Sequence, residues 1–190
     1  MIIWTTSSWL HARRWHQTMS RLIITFVTCF VLDNLLVIFL PIQPIVGHYM
    51  IIPNVFLICL ALFTFYDKGI RPIIFACIFG LLYDICYTDL IGLYTCLFPI
   101  ITFILLRFIS QTMPVNLLSM MALVMGVVIF EEWFVYFIVN TMKTTNMSFM
   151  IFIKFILIPT AIFNTLITIP LYPILKSQFR KYQRQFLNEF

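Results

Sequence analysis

The sequence predicts an all-α membrane protein of six transmembrane helices with both termini in the cytoplasm, and three observations lead there. Of its 190 residues 62% are hydrophobic and 10% charged, with a mean hydropathy of +1.02, where a soluble domain is roughly 45–50% apolar and about 25% charged. The apolar residues form six runs near the length that crosses a hydrocarbon core of roughly 30 Å, which takes about 20 helical residues. Ten of the twelve Lys and Arg fall on the side that six crossings assign to the termini, and cytoplasmic segments carry that excess. Residues 1–21 and 176–190 are too short for a soluble domain, so 1–190 reads as one membrane domain.

The first 18 residues hold Trp4, Trp9, Trp15, Arg13, Arg14, His11 and His16. They suit an interfacial amphipathic helix anchored by indole rings and drawn to anionic lipid. Translation starting at Met19, immediately before the first span, is the competing expectation for this segment. Span one covers about 22–40 and carries Asp33 and Asn34 in its outer half, some 18–20 Å beyond Arg21 at ~1.5 Å per residue. An acid at that depth faces a partner or a wet cavity, as a functional group or as a structural hydrogen bond between helices.

Span two, about 51–66, is the shortest and opens with Pro53 and Asn54; proline suits a first helical turn because its missing N–H would be unsatisfied there. Pro72 does the same for span three, about 70–87. Span four, about 93–109, contains Pro99 and is expected to bend. Between Arg71 and Arg107 the formal charges are Asp84 and Asp89 alone. Asp89 or Thr88 is placed to cap span four, and Gly92 to let helices approach closely. Asp84, at the C-terminal end of span three where the helix dipole disfavours a negative charge, has no such local explanation and stands out as a functional candidate.

Span five, about 115–140, brings Glu131 and Glu132 toward the outer surface beside Trp133 and Tyr136. Lys154, early in span six, is at a similar height, so an ion pair, interfacial solvation and proton handling all remain open for these acids. Span six, about 149–175, carries Thr160, Asn164 and Thr168 at i, i+4 and i+8 with Pro159, Pro170 and Pro173 in the same helix. That polar line is expected to pack against another element.

No nucleophile stands beside a base, no glycine-rich phosphate loop occurs, and the histidines at 11, 16 and 48 lack ligand spacing. The five Cys, at 29, 59, 77, 86 and 96, show no paired spacing. No enzyme, no cofactor, no metal centre and no nucleic-acid partner are therefore expected.

The order Pro53-Asn54, Gly80-Leu-Leu-Tyr-Asp84, Gly92-Leu-Tyr94, then Asn164 before Tyr172-Pro173 and a basic tail, resembles the MreD family of bacterial rod shape-determining membrane proteins over about residues 20–180. The resemblance implies a non-enzymatic adaptor of lateral cell-wall elongation in the cytoplasmic membrane. Its implied partners are an MreC-like bitopic protein, a RodA-type polymerase, an elongation penicillin-binding transpeptidase, MreB where present, and membrane lipid. It also implies likeness in fold to the substrate-binding subunits of energy-coupling-factor transporters. The family usually has an acid where this chain has Asn54, so a charge-dependent role there is in doubt. Pro53, Asn54, Gly80, Asp84, Gly92 and Asn164 are the candidate motif or partner-contact residues, and Asp33, Glu131, Glu132 and Lys154 the candidate intramembrane polar contacts. A vitamin-type binding subunit of a transporter is the alternative, and it requires Asp33, Asn54, Asp84 and Asn164 to converge on a pocket.

Overall fold

The structure, a computed structural model, describes residues 3–39, 49–88, 90–109, 112–142 and 147–187. They form helices α1 (Ile3–Phe39), α2 (Val55–Tyr66), α3 (Arg71–Tyr87), α4 (Leu93–Ile104), α5 (Leu117–Thr141), α6 (Phe149–Phe152) and α7 (Ile158–Leu187). Two π-helical stretches join them: Leu105–Ile109 continues α4, and Ile153–Leu157 links α6 to α7 into one rod. No strand occurs among the described residues. Three stretches, Gln17–Phe39, Leu117–Thr141 and Phe149–Gln185, are long and apolar enough to cross a membrane by themselves.

The centre of the bundle is α2. All twelve of its residues are buried, and α1, α3, α4, α5 and α7 pack around it. A helix apolar on every face has no side to offer water, so its sequence suits only this central place. At ~1.5 Å per residue it covers only ~18 Å of the ~30 Å hydrocarbon core. The residues just before Val55, 51–54, are not helical.

Aromatic rings fill the space around α2. Phe26, fully buried, lies 5.8 Å from Phe56, 5.4 Å from Phe63, 4.5 Å from Phe75 and 6.3 Å from Phe179 between ring centroids, tying α1, α2, α3 and α7 together. Such pairs add to area burial by roughly 0.5–1.5 kcal/mol each.

Three expectations change. Residues 3–18 form no helix of their own, because α1 runs unbroken from Ile3 to Phe39. Pro53 does not open the helix of span two; it precedes the N-cap residue Asn54, and residues 49–54 carry no regular secondary structure. The basic tail 176–190 is helical as far as Leu187, and Thr18 Oγ1 of α1 donates to Gln185 Oε1 of α7 at 2.8 Å, so the two long helices stay together beyond the apolar zone. Pro72 sits in the first turn of α3 as expected.

Candidate functional site

The non-helical segment ahead of α2 packs its peptide groups against α7, where a buried unpaired one costs about 1–3 kcal/mol. Helix α7 and the π turn before it satisfy them in alternation. Met50 N–H donates to Phe155 O at 2.9 Å, a carbonyl left without its usual helical partner because Pro159 has no N–H. Ile52 N–H donates to Thr160 Oγ1 at 3.2 Å. Asn164 closes the remainder, its Nδ2 donating to Ile52 O at 2.8 Å and its Oδ1 accepting from Asn54 N–H at 2.7 Å. Every second residue faces α7, as on a strand, so Thr160 and Asn164, one turn apart, match successive peptides. Thr168 donates to Asn164 O at 2.8 Å and extends the buried polar line expected in span six. Its partner is unwound backbone, not another helix.

Asp33 completes the start of α2. Its carboxylate accepts from Val55 N–H at 2.6 Å and Phe56 N–H at 2.9 Å, and also from the Tyr83 hydroxyl of α3. The N-cap residue Asn54 makes no side-chain cap bond. An acid on α1 therefore caps α2 from outside, where the helix dipole welcomes negative charge. Asn34, by contrast, bonds back to Phe30 O at 2.8 Å in its own helix.

Glu131 and Glu132 are buried, 3% and 6% exposed, which rules out interfacial solvation for them. The expected ion pair is also absent: among the described residues no carboxylate lies within ion-pair distance of Lys154, which is exposed and lies 5.4 Å from the Phe155 ring centroid. The π turn presents Lys154 outward while both glutamates of α5 turn in. Glu132 neighbours Asn54, and Glu131 lies within electrostatic reach of Glu132 and Asp33. Asn54 Nδ2 and Glu131 Oε2 are buried without a hydrogen-bond partner among the described residues. Asp33, Asn54, Asn164, Glu131 and Glu132 thus gather around one helix start.

Asp84 lies apart from them and does parallel work on α4. It accepts from Gly92 N–H at 2.9 Å, Tyr94 N–H at 2.7 Å, Thr95 N–H at 3.0 Å and the Thr95 hydroxyl at 2.6 Å. The acid at the unfavourable end of one helix is the cap of the next. Thr88 is not that cap; its hydroxyl donates to Asp84 O at 3.1 Å and Leu90 O at 3.0 Å, while Asp89 lies outside the described residues. Close approach belongs to Gly80, where a Cβ would meet Tyr94 O at 2.6 Å and Thr95 Cα at 2.9 Å. Gly92 instead supplies a left-handed N-cap, φ 111°, with open space around it.

Sequence reasoning passed over Asp67. It is 7% exposed and closes the α2–α3 turn, accepting from Gly69 N–H at 2.8 Å, Arg71 at 3.0 Å and the Tyr182 hydroxyl at 2.5 Å. Asp67-Lys-Gly69 was the available signal, a turn with an Asx acceptor. Its partner 115 residues away was not legible.

Asp33, Asp67, Asp84 and Asn164 thus hold backbone in place. No described cluster of three or more His, Cys, Asp or Glu could hold a metal ion. A cavity of about 640 Å³ lies elsewhere, between α4 and α5, lined by Ile104, Leu123, Val127 and Phe130 among others.

Residues 20–182 match the family model described as rod shape-determining protein MreD. No curated protein and no solved structure matches the chain.

Proposed function

The chain belongs to the MreD family, and on that premise we propose that it is a multi-pass adaptor of the cytoplasmic membrane, both termini inside, serving lateral cell-wall elongation. A role in rod shape determination, in a membrane protein of a family not known for enzymes, follows from membership itself. The finer proposal is that it binds an MreC-like bitopic protein and brings a RodA-type polymerase and an elongation transpeptidase together, with MreB where present.

One observation carries the choice of adaptor over binding subunit. Asp33, Asp84 and Asn164 have their hydrogen-bonding atoms engaged with the backbone of the protein itself, which supports a rigid scaffold more than a pocket of convergent free polar groups. Such a scaffold acts by contact, offering apolar faces such as Ile74, Ile78, Leu81 and Ile85 of α3, all 44% exposed or more. Helices in lipid associate through packing and hydrogen bonds, not through hydrophobic driving force.

Crosslinked co-purification from native membranes tests this. An MreC-like protein should be recovered with the tagged chain, and depletion should round or widen a rod-shaped cell. Saturable binding of a defined small molecule by purified protein, with no MreC-like protein recovered, would reverse the choice in favour of a transport subunit.

A further inference from the structure

Helix α7 carries one continuous line down its outer surface. Ile162, Leu166 and Ile169 are 52%, 56% and 44% exposed, and the same line continues through exposed Pro173 into Lys176, Arg180 and Arg184. The spacings of three and four residues keep all seven on one face. From Ile162 to Pro173 is ~16 Å at ~1.5 Å per residue, close to the ~15 Å of one leaflet's hydrocarbon. The cations begin where that length ends.

They also surround a concavity of about 330 Å³, lined by Pro173, Lys176, Ser177, Arg180, Lys181 and Arg184. No described carboxylate lies within ion-pair distance of any of these four cations. Lys176 is steadied from behind, donating to Tyr172 Oη at 2.7 Å with its Nζ 4.6 Å from that ring's centroid. A cluster serving only to orient the chain would work wherever its charges lay on the cytoplasmic side. Alignment with an apolar stripe one leaflet deep is the geometry of a phospholipid, a phosphate above an acyl chain.

We propose that this face of α7 seats an anionic phospholipid of the inner leaflet, its phosphate held by Lys176, Arg180 and Arg184 and its chain lying along Ile162, Leu166 and Ile169. Phosphatidylglycerol is the simplest such lipid. The placing in the inner leaflet rests on the cytoplasmic orientation proposed above, whereas retention of the lipid is independent of orientation, so the two fail separately.

The test uses the full-length protein in nanodiscs of phosphatidylcholine with or without phosphatidylglycerol, reading retained lipid by native mass spectrometry. The wild type should retain phosphatidylglycerol in preference, and the variant Lys176→Gln/Arg180→Gln/Arg184→Gln should lose this preference by roughly fivefold for each charge removed. Its melting temperature in pure phosphatidylcholine should match the wild type; if it does not, the double variant Arg180→Gln/Arg184→Gln, which leaves the Tyr172 contact intact, carries the test. The control Lys68→Gln/Arg107→Gln should retain lipid like the wild type. Undiminished retention in the variants, equal loss in the control, displacement by millimolar inorganic phosphate, or preference for a poly-glutamate peptide would each overturn the proposal.

Discussion

Two aspartates in this chain cap helices to which they do not belong. A carboxylate at a helix start accepts from several unpaired N–H groups and meets the positive end of the dipole, and in a dry interior such charge-assisted bonds are the strong ones. Asp84 takes four donors and Asp33 three. Asp84→Ala would leave those donors of α4 unpaired and is expected to destabilise by about 2–3 kcal/mol, read as a lowered unfolding midpoint in micelles. Asp33→Asn keeps an acceptor and loses the charge, so about 1–2 kcal/mol is expected by the same measurement. An Asp84→Ala protein that melts like the wild type yet loses its partners would show that the carboxylate acts in recognition and not as a cap.

At the scale of elements, the hairpin of α3 and α4 and the non-helical chain before α2 are the two joints most exposed to single changes. Gly80→Ala places a methyl group 2.6 Å from Tyr94 O, backbone that cannot swing aside. The hairpin has to part, at about 1–3 kcal/mol, with greater protease sensitivity around residues 88–92. Asn164→Leu, nearly isosteric, strips Ile52 O and Asn54 N–H of their partners. Hydrogen exchange should then rise at residues 50–55 before it rises elsewhere. Uniform exchange in that variant would mean that Thr160 and the Phe155 carbonyl hold the segment without Asn164.

For the molecule as a whole, a central helix too short to cross the membrane is fastened at both ends by residues distant in sequence, Asp33 and Asn164 at one end and Tyr182 at the other. The Arg71–Asp67 pair, with Arg71 36% exposed, adds little once solvent screening is allowed for. The Tyr182 hydroxyl on buried Asp67 matters more, and Tyr182→Phe is expected to cost about 1 kcal/mol, read by thermal unfolding. Orientation is separately testable: a fluorescent protein fused after Phe190 should fluoresce from the cytoplasm, and a dark fusion beside an active periplasmic reporter would invert the topology.

The amino-acid sequence by itself determined the apolar, helical class, the family motifs and the polar line Thr160, Asn164, Thr168. These follow from composition, run length and local spacing, which act along the chain. It singled out Asp33, Asp84 and Glu131 as acids in an expensive place and allowed Asp33 a hydrogen bond between helices, which Tyr83 supplies, but it left Asp84 without a local partner, offered Thr88 as a cap of span four and kept open an ion pair between Lys154 and a glutamate that the packing does not make. Tertiary structure alone decided that Asp84 caps α4, that Gly80 and not Gly92 is the point of contact, that span two is half unwound, and that Asp67 reaches Tyr182. For the cap on α4 and the unwound segment the physical reason is the same. An unpaired peptide group in a dry interior accepts whichever partner the packing brings, and the distance along the chain to that partner leaves no local mark.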